Sequence, residues 1–177
     1  MRRLMLASLC LVAGCGAAEE KKAEAPAAAA MGAGQWETAF ETTAFRSTDG
    51  KTPMLKAAVG DKATSSACIA AGTDSKPEPA VLVGPDYKCS YQPGSYVKSG
   101  RINAQLTCTR GGKGPINVSI SGTSTADTLD ATAETTSYLP GDGDFTMKQT
   151  ITAKRTGPTC QAPAPGADGN QTADKAA

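Results

Sequence analysis

Apolar and polar residues alternate with a period of two along most of the chain between residues 34 and 160. This period predicts β-strands that bury one face and expose the other. The inward positions that the pattern predicts are Trp36, Thr38, Phe40, Thr42 and Ala44; Ile102, Ala104, Leu106 and Cys108; Ile116, Val118 and Ile120; Leu129, Ala131 and Ala133; and Phe145, Met147, Ile151 and Ala153.

Short links rich in Gly or Asp join the later alternating runs, at residues 111–114, 124–127 and 140–144. Strands joined by tight links pair with their neighbours in an antiparallel sense. The sequence therefore predicts a mainly β fold, a single antiparallel meander that forms a curved sheet or a small barrel.

Few residues are predicted to be helical, and one or two short helices are expected after the first strand. Thr52 and Pro53 precede the run 54–59, and Gly60 follows it, which is the order of an N-cap, a first-turn proline and a stop. A second short helix is predicted between Pro79 and Val83. The inner face of the sheet would be covered either by curling into a barrel or by closing over this helical segment, 52–83.

The N-terminus has the pattern of an export signal. Arg2 and Arg3 precede a short apolar run, and Leu11-Val12-Ala13-Gly14-Cys15 then places small residues before a cysteine. This arrangement resembles the lipobox of bacterial lipoproteins, in which Cys15 would carry lipid and residues 1–14 would be removed. The apolar run is shorter than the roughly 20 residues of a transmembrane helix. We therefore expect a lipid anchor in a bacterial cell envelope. Gly16, and not Asp, follows the cysteine, and by resemblance to enterobacterial lipoprotein sorting this implies the periplasmic face of the outer membrane.

Composition divides the rest of the chain. Residues 15–33 are rich in Ala and charge and are predicted to be a tether, residues 34–160 a single small domain, and residues 161–177 a disordered Pro/Ala/Gly tail. Removal of Arg2 and Arg3 with the signal takes the formal charge from +1 to −1. A chain so near neutrality lacks the basic excess that a nucleic-acid partner requires.

Four cysteines remain once Cys10 leaves with the signal and Cys15 takes lipid. An even number in an exported domain indicates disulfides, and four cysteines allow three connectivities. Cys89 and Cys108 flank a predicted hairpin, which favours Cys89–Cys108 and leaves Cys68–Cys160. The alternative is a zinc site of four thiolates, but the chain has no C-x-x-C pair and no histidine.

Catalytic chemistry is poorly supported. The absence of histidine removes Ser-His-Asp and Cys-His mechanisms and the commonest general base at neutral pH. We therefore expect no catalytic residues, no metal site, no cofactor and no enzymatic activity.

Two function classes stay open. The first is a module that binds a small apolar or amphipathic ligand inside the curved sheet, with Trp36, Phe40, Tyr91 and Met147 as candidates to line a cavity. For Trp36, a role as a core residue near the start of the sheet is favoured over lining a cavity. The second class is a structural or interaction component that contacts another envelope protein.

Several short motifs resemble a known family in their order along the chain. They are Gly34-Gln35-Trp36-Glu37-Thr38, Cys68-Ile69 after a helical stretch, Tyr87-Lys88-Cys89-Ser90-Tyr91 with the hairpin to Cys108, and Lys154-Arg155 before Cys160. Over nearly all of 34–160 this order resembles the periplasmic domain of unknown function 3617. The resemblance implies a small exported or lipid-anchored protein of Gram-negative bacteria and implies no established activity.

Overall fold

The computed structural model describes residues 30–72, 76–139, 141 and 143–160. These residues form eight strands and one helix of a single turn. The elements are β1 (Gly34–Ser47), β2 (Lys62–Ile69), α1 (Ala80–Val83), β3 (Tyr87–Tyr91), β4 (Tyr96–Lys98), β5 (Arg101–Arg110), β6 (Lys113–Ser124), β7 (Thr128–Ser137) and β8 (Phe145–Gly157). The predicted lipobox with Cys15, most of the tether and the tail lie outside the described residues.

All strands join one antiparallel sheet in the order β2-β1-β8-β7-β6-β5-β3, and β4 pairs with β5. The sheet is curled into a half-barrel, and β1 pairs with β8, the last strand in the chain. Its two edges, β2 and β3, are not paired with each other. We call the gap between these edges the seam. The predicted mainly β, antiparallel curved sheet is confirmed.

The inner face is built by the predicted alternation. Every predicted inward residue is buried except Ala131, which is half-buried, and Ala44, which is exposed. Helix α1 lies against β1 and β2 and adds Val81 and Leu82 to this core. The Thr38 hydroxyl donates to the Val81 carbonyl over 3.0 Å. Most of the concave side of the sheet is therefore packed.

The prediction for Ala44 is wrong because of a bulge in β1. The register against β8 shifts between Thr42 and Ala44. The extra residue reverses the alternation beyond it, as a bulge does. Phe45 therefore turns inward opposite Met147, and its ring centroid lies 5.4 Å from that of Phe145.

The predicted helix over 54–59 is also wrong, whereas the predicted short helix near Pro79 is confirmed as α1. In the first segment the backbone bonds elsewhere: Gly60 N–H donates to the Thr42 carbonyl (2.8 Å), and Ala58 N–H donates to the Asp61 carboxylate (2.7 Å). The first bond ties this non-helical segment to β1, and the second closes a local turn. The strand that follows it, β2, replaces the helical stretch expected before Cys68.

The folded unit begins before residue 34. Met31, which falls in the predicted tether, is only 1% exposed and belongs to the core. Gly32 N–H donates to the Ala126 carbonyl (2.9 Å), and the Trp36 indole N–H donates to the Gly32 carbonyl (2.9 Å). These contacts fix the chain ahead of β1, so the domain starts at Met31 or earlier.

Two disulfides each join two nearby elements of the sheet. Cys89 on β3 is bonded to Cys108, its register partner on β5, with 4.0 Å between the Cα atoms. Cys68 on β2 is bonded to Cys160, which follows β8, with 5.4 Å between the Cα atoms. The structure thus has the pairing favoured by the sequence, and zinc coordination by the four thiolates is not the arrangement observed.

Candidate functional site

A solvent-open cleft of about 490 Å³ lies in the seam. One wall is the first half of β2, from Lys62 to Ser65, and the other is residues 83–87 between α1 and β3. Leu55 and its neighbours border the cleft at a third side. Helix α1 packs against β2 and β1, and the space between β2 and residues 83–87 stays open beside it. We call it the seam cleft.

The floor of the seam cleft is formed by inward side chains of β1 and β8. Phe40 and Met147 provide an apolar surface, and both are buried. Thr42 and Gln149 lie beside them as register partners across the two strands. An apolar surface that carries a few polar groups is typical of small-molecule sites.

A second cleft of about 540 Å³ adjoins the first and shares Leu55, Asp86 and Arg110 with it. Its lining is largely apolar and comes from the ends of β5, β6 and β8 and from the adjoining loops. The apolar residues that line it are Met54, Leu55, Ile116, Leu139 and Phe145. Leu55 and the Asp86–Arg110 pair thus separate two neighbouring spaces.

The charged side chains that line the seam cleft all have protein partners. Arg110 is paired with Asp86 (3.2 Å), and its guanidinium lies 5.7 Å from the centroid of the Tyr87 ring. The other contacts are Lys62 with Glu41 (3.4 Å), the Lys56 ammonium with the Pro53 carbonyl (3.4 Å), and the Asp61 carboxylate with Ala58 N–H. These pairings leave the site without a concentrated charge of either sign.

The neutral polar groups of the seam cleft are incompletely bonded. The Gln149 amide donates to the Thr42 hydroxyl over 3.5 Å, the outer limit of a hydrogen bond. Ser65, on the β2 wall, has a buried hydroxyl with no partner among the described residues. Buried polar groups are normally bonded, so these three side chains have capacity that a ligand could use.

Tyr87 adds a phenol to the same wall. Burial raises the pKa of Tyr87, and the attraction of its anionic form to Arg110 offsets part of that rise. The phenol is therefore a neutral hydroxyl at physiological pH. It lies beside Asp86 and Arg110 at the end of β3 that faces the seam.

The four residues predicted to line a cavity separate into two pairs. Phe40 and Met147 line the seam cleft. Trp36 is fully buried in the core, and Tyr91 donates its hydroxyl to the Pro77 carbonyl (2.7 Å) away from the cleft. Neither Trp36 nor Tyr91 lines the seam cleft.

Sequence reasoning missed Gln149. The alternation of β8 places it between Met147 and Ile151 on the inner face, yet it is not apolar. A large amide at an inward position of a strand was the available signal. Ser65 and Tyr87 gave no such signal, because the seam exists only once the sheet has curled.

Among the described residues, no group of three or more His, Cys, Asp or Glu side chains is placed to hold a metal ion. Within the same part of the chain, no helix is long and apolar enough to cross a membrane.

Comparison with known proteins gives one positive result. No curated protein and no solved structure matches the chain significantly. A family model does match, over residues 31–160, and it begins at the buried Met31. The family resemblance drawn from the sequence motifs is confirmed. The match covers more than half of the chain, which therefore belongs to the family described as "Protein of unknown function (DUF3617)".

Proposed function

We propose that this protein is a lipid-anchored component of a bacterial cell envelope whose β domain binds a small apolar or amphipathic molecule in the seam cleft. The seam cleft carries the binding part of the proposal. Its volume of about 490 Å³ falls within the roughly 300–1,000 Å³ of small-molecule sites. The apolar floor of Phe40 and Met147 supplies the surface that such a ligand would cover.

A binding role is favoured over catalysis by the chemistry of the lining. The chain has no histidine, and the charged residues of the cleft are engaged with one another or with backbone groups. General acid–base catalysis needs a group held near a reacting atom with a pKa close to the working pH. We therefore infer a non-catalytic module without a cofactor.

The lipid anchor is supported by the lipobox ending at Cys15 and by the two disulfides, which suit an oxidising compartment. The geometry is compatible with it. Met31 enters the fold beside the start of β1, whereas Phe40 and Thr42 on the cleft floor lie five and seven residues beyond Gln35, about 16 and 23 Å further along β1. A tether from Cys15 would join the end of the domain away from the cleft.

Metabolic labelling with an alkyne fatty acid tests the anchor. The parent chain should incorporate label and fractionate with membranes, and Cys15→Ala should do neither. Equal membrane retention and labelling of the two chains would contradict the anchor and leave the ligand proposal standing.

Native mass spectrometry of the domain purified from the envelope tests the binding role. Ala63 on β2 lines the cleft opposite Phe40, so Ala63→Trp should fill the space and abolish ligand adducts. Ala39→Trp, exposed on β1, is the matched control and should keep them. Recovery of the parent domain without any adduct, together with no binding of added amphiphiles, would contradict the proposal.

A second candidate, a protein-interaction component of the envelope, is supported by exposed apolar side chains near the same end. Met54 is 62% exposed, Val59 70% and Tyr138 53%. Crosslinking in cells through a photoreactive group at Val59 tests it. A single reproducible partner lost with Met54→Ser would favour this role, and a diffuse set of abundant proteins would count against it.

A further inference from the structure

We propose that the ligand of the seam cleft carries a neutral hydrogen-bonding group, an amide, hydroxyl or carbonyl, on its apolar body, and that Gln149 and Thr42 recognise that group. This inference rests on the proposed binding function and specifies the chemistry of its ligand.

Thr42 and Gln149 are polar side chains on the cleft floor. Thr42 is 3% exposed and Gln149 half-buried, and both lie on the cleft floor next to Phe40 and Met147. An apolar pair at these register positions would have packed without any need for hydrogen bonds. In small-molecule sites, a few polar side chains among apolar ones fix the orientation of the ligand.

Unused bonding capacity is the second argument. In the described part of the chain, the 3.5 Å contact between them is the one side-chain hydrogen bond that either residue makes. A glutamine amide has two N–H donors and a carbonyl acceptor, and a threonine hydroxyl both donates and accepts. The pair therefore retains donors and acceptors for a ligand atom. Ser65 on the facing wall is also unpartnered.

The balance of charge is the third argument, and it determines the chemical class. Arg110 pairs with Asp86, and Lys62 with Glu41. The other two charged side chains of the lining, one Lys and one Asp, bond to backbone groups and have opposite sign, so the lining carries no excess of either charge. A carboxylate or an ammonium placed on the floor would have to be desolvated without a counter-charge, which is costly. A neutral polar group meets its bonding partners there at no such cost.

Titration with three amphiphiles of equal chain length tests the inference: octanamide, octanoate and octyltrimethylammonium. Binding to the intact domain is measured by NMR chemical-shift changes at neutral pH. Octanamide should bind most tightly. Gln149→Leu should weaken octanamide binding about tenfold, the effect expected for the loss of one hydrogen bond, and should not weaken binding of the two charged probes. Thr42→Val should act in the same direction.

Thr150→Val is the matched control, because Thr150 is the exposed neighbour of Gln149 on β8. It should leave all three affinities unchanged. Equal or tighter binding of octanoate or octyltrimethylammonium, or octanamide binding unaffected by Gln149→Leu, would overturn the inference while the proposed function stands. Failure of all three probes to bind would overturn both.

Discussion

Cys68 and Cys160 are joined by a disulfide although 92 residues separate them in sequence. The bond fastens edge strand β2 to the segment that follows β8, and both elements flank β1. It therefore holds together three elements at the end of the half-barrel where Met31 and Gly32 enter the fold.

The two disulfides should contribute unequally to stability. In the chain-entropy model the Cys68–Cys160 loop is worth about 4.6 kcal/mol and the shorter Cys89–Cys108 loop about 3 kcal/mol. We expect the double substitution Cys68→Ala/Cys160→Ala to lower the free energy of unfolding more than Cys89→Ala/Cys108→Ala, as measured by urea denaturation. The opposite order would show that the local hairpin bond dominates.

Met31 should contribute to the core although it precedes the first strand. The substitution Met31→Ala should lower the free energy of unfolding by about 2–4 kcal/mol, as for other fully buried methionines. Ala30→Ser, at the exposed neighbouring position, is the control and should have little effect. A change below about 0.5 kcal/mol for Met31→Ala would mean that the segment ahead of β1 is not part of the cooperative unit.

Gly122 should not tolerate a side chain. A Cβ at this position of β6 would collide with the backbone of Asp130 and Ala131 on β7. Gly122→Ala should therefore push β6 and β7 apart and cost about 1–3 kcal/mol, the usual range for overpacking. Gly112→Ala meets no atom but has a positive φ of 77°, so any loss there would come from backbone strain alone.

Stability should fall at alkaline pH. Burial raises the pKa of Tyr91 above the ordinary value near 10 and also raises that of Tyr87. A tyrosine whose pKa is raised in the folded state binds its proton more tightly there than in the unfolded state. Its contribution to the free energy of unfolding is therefore complete below pH 10 and is lost as the pH rises further. Urea titrations between pH 8 and 11 should show this decline. Tyr91→Phe should make it shallower, and an unchanged slope would contradict the assignment.

The sheet could be predicted because apolar residues recur at every second position along the strands that form its inner face. Ile102, Leu106, Ile116 and Ile120 are large apolar residues at a strict period of two, and each is buried where the period places it. Strand β2 could not be found in this way. Its sequence, Lys62–Ile69, is mostly small and polar because it lies at an edge and is largely exposed.

The candidate site was only half predictable for a related reason. Phe40 and Met147 were accessible as inward apolar residues, but Leu55, Ser65 and Tyr87 meet them only across the seam. Residue spacing along one strand carries no information about which edges of a curled sheet stay apart. The wrong helix at 54–59 had the same origin, because the bonds of Gly60 to Thr42 are long-range.

A ¹⁵N chemical-shift map of the domain during titration with octanamide shows where the ligand binds. If the seam cleft is the binding site, saturable shifts will be concentrated at residues 62–65, 83–87 and 147–149, and the outer face of β6 and β7 will be unaffected. Saturable shifts on that outer face, or no shifts at all, would exclude the seam cleft as the binding site.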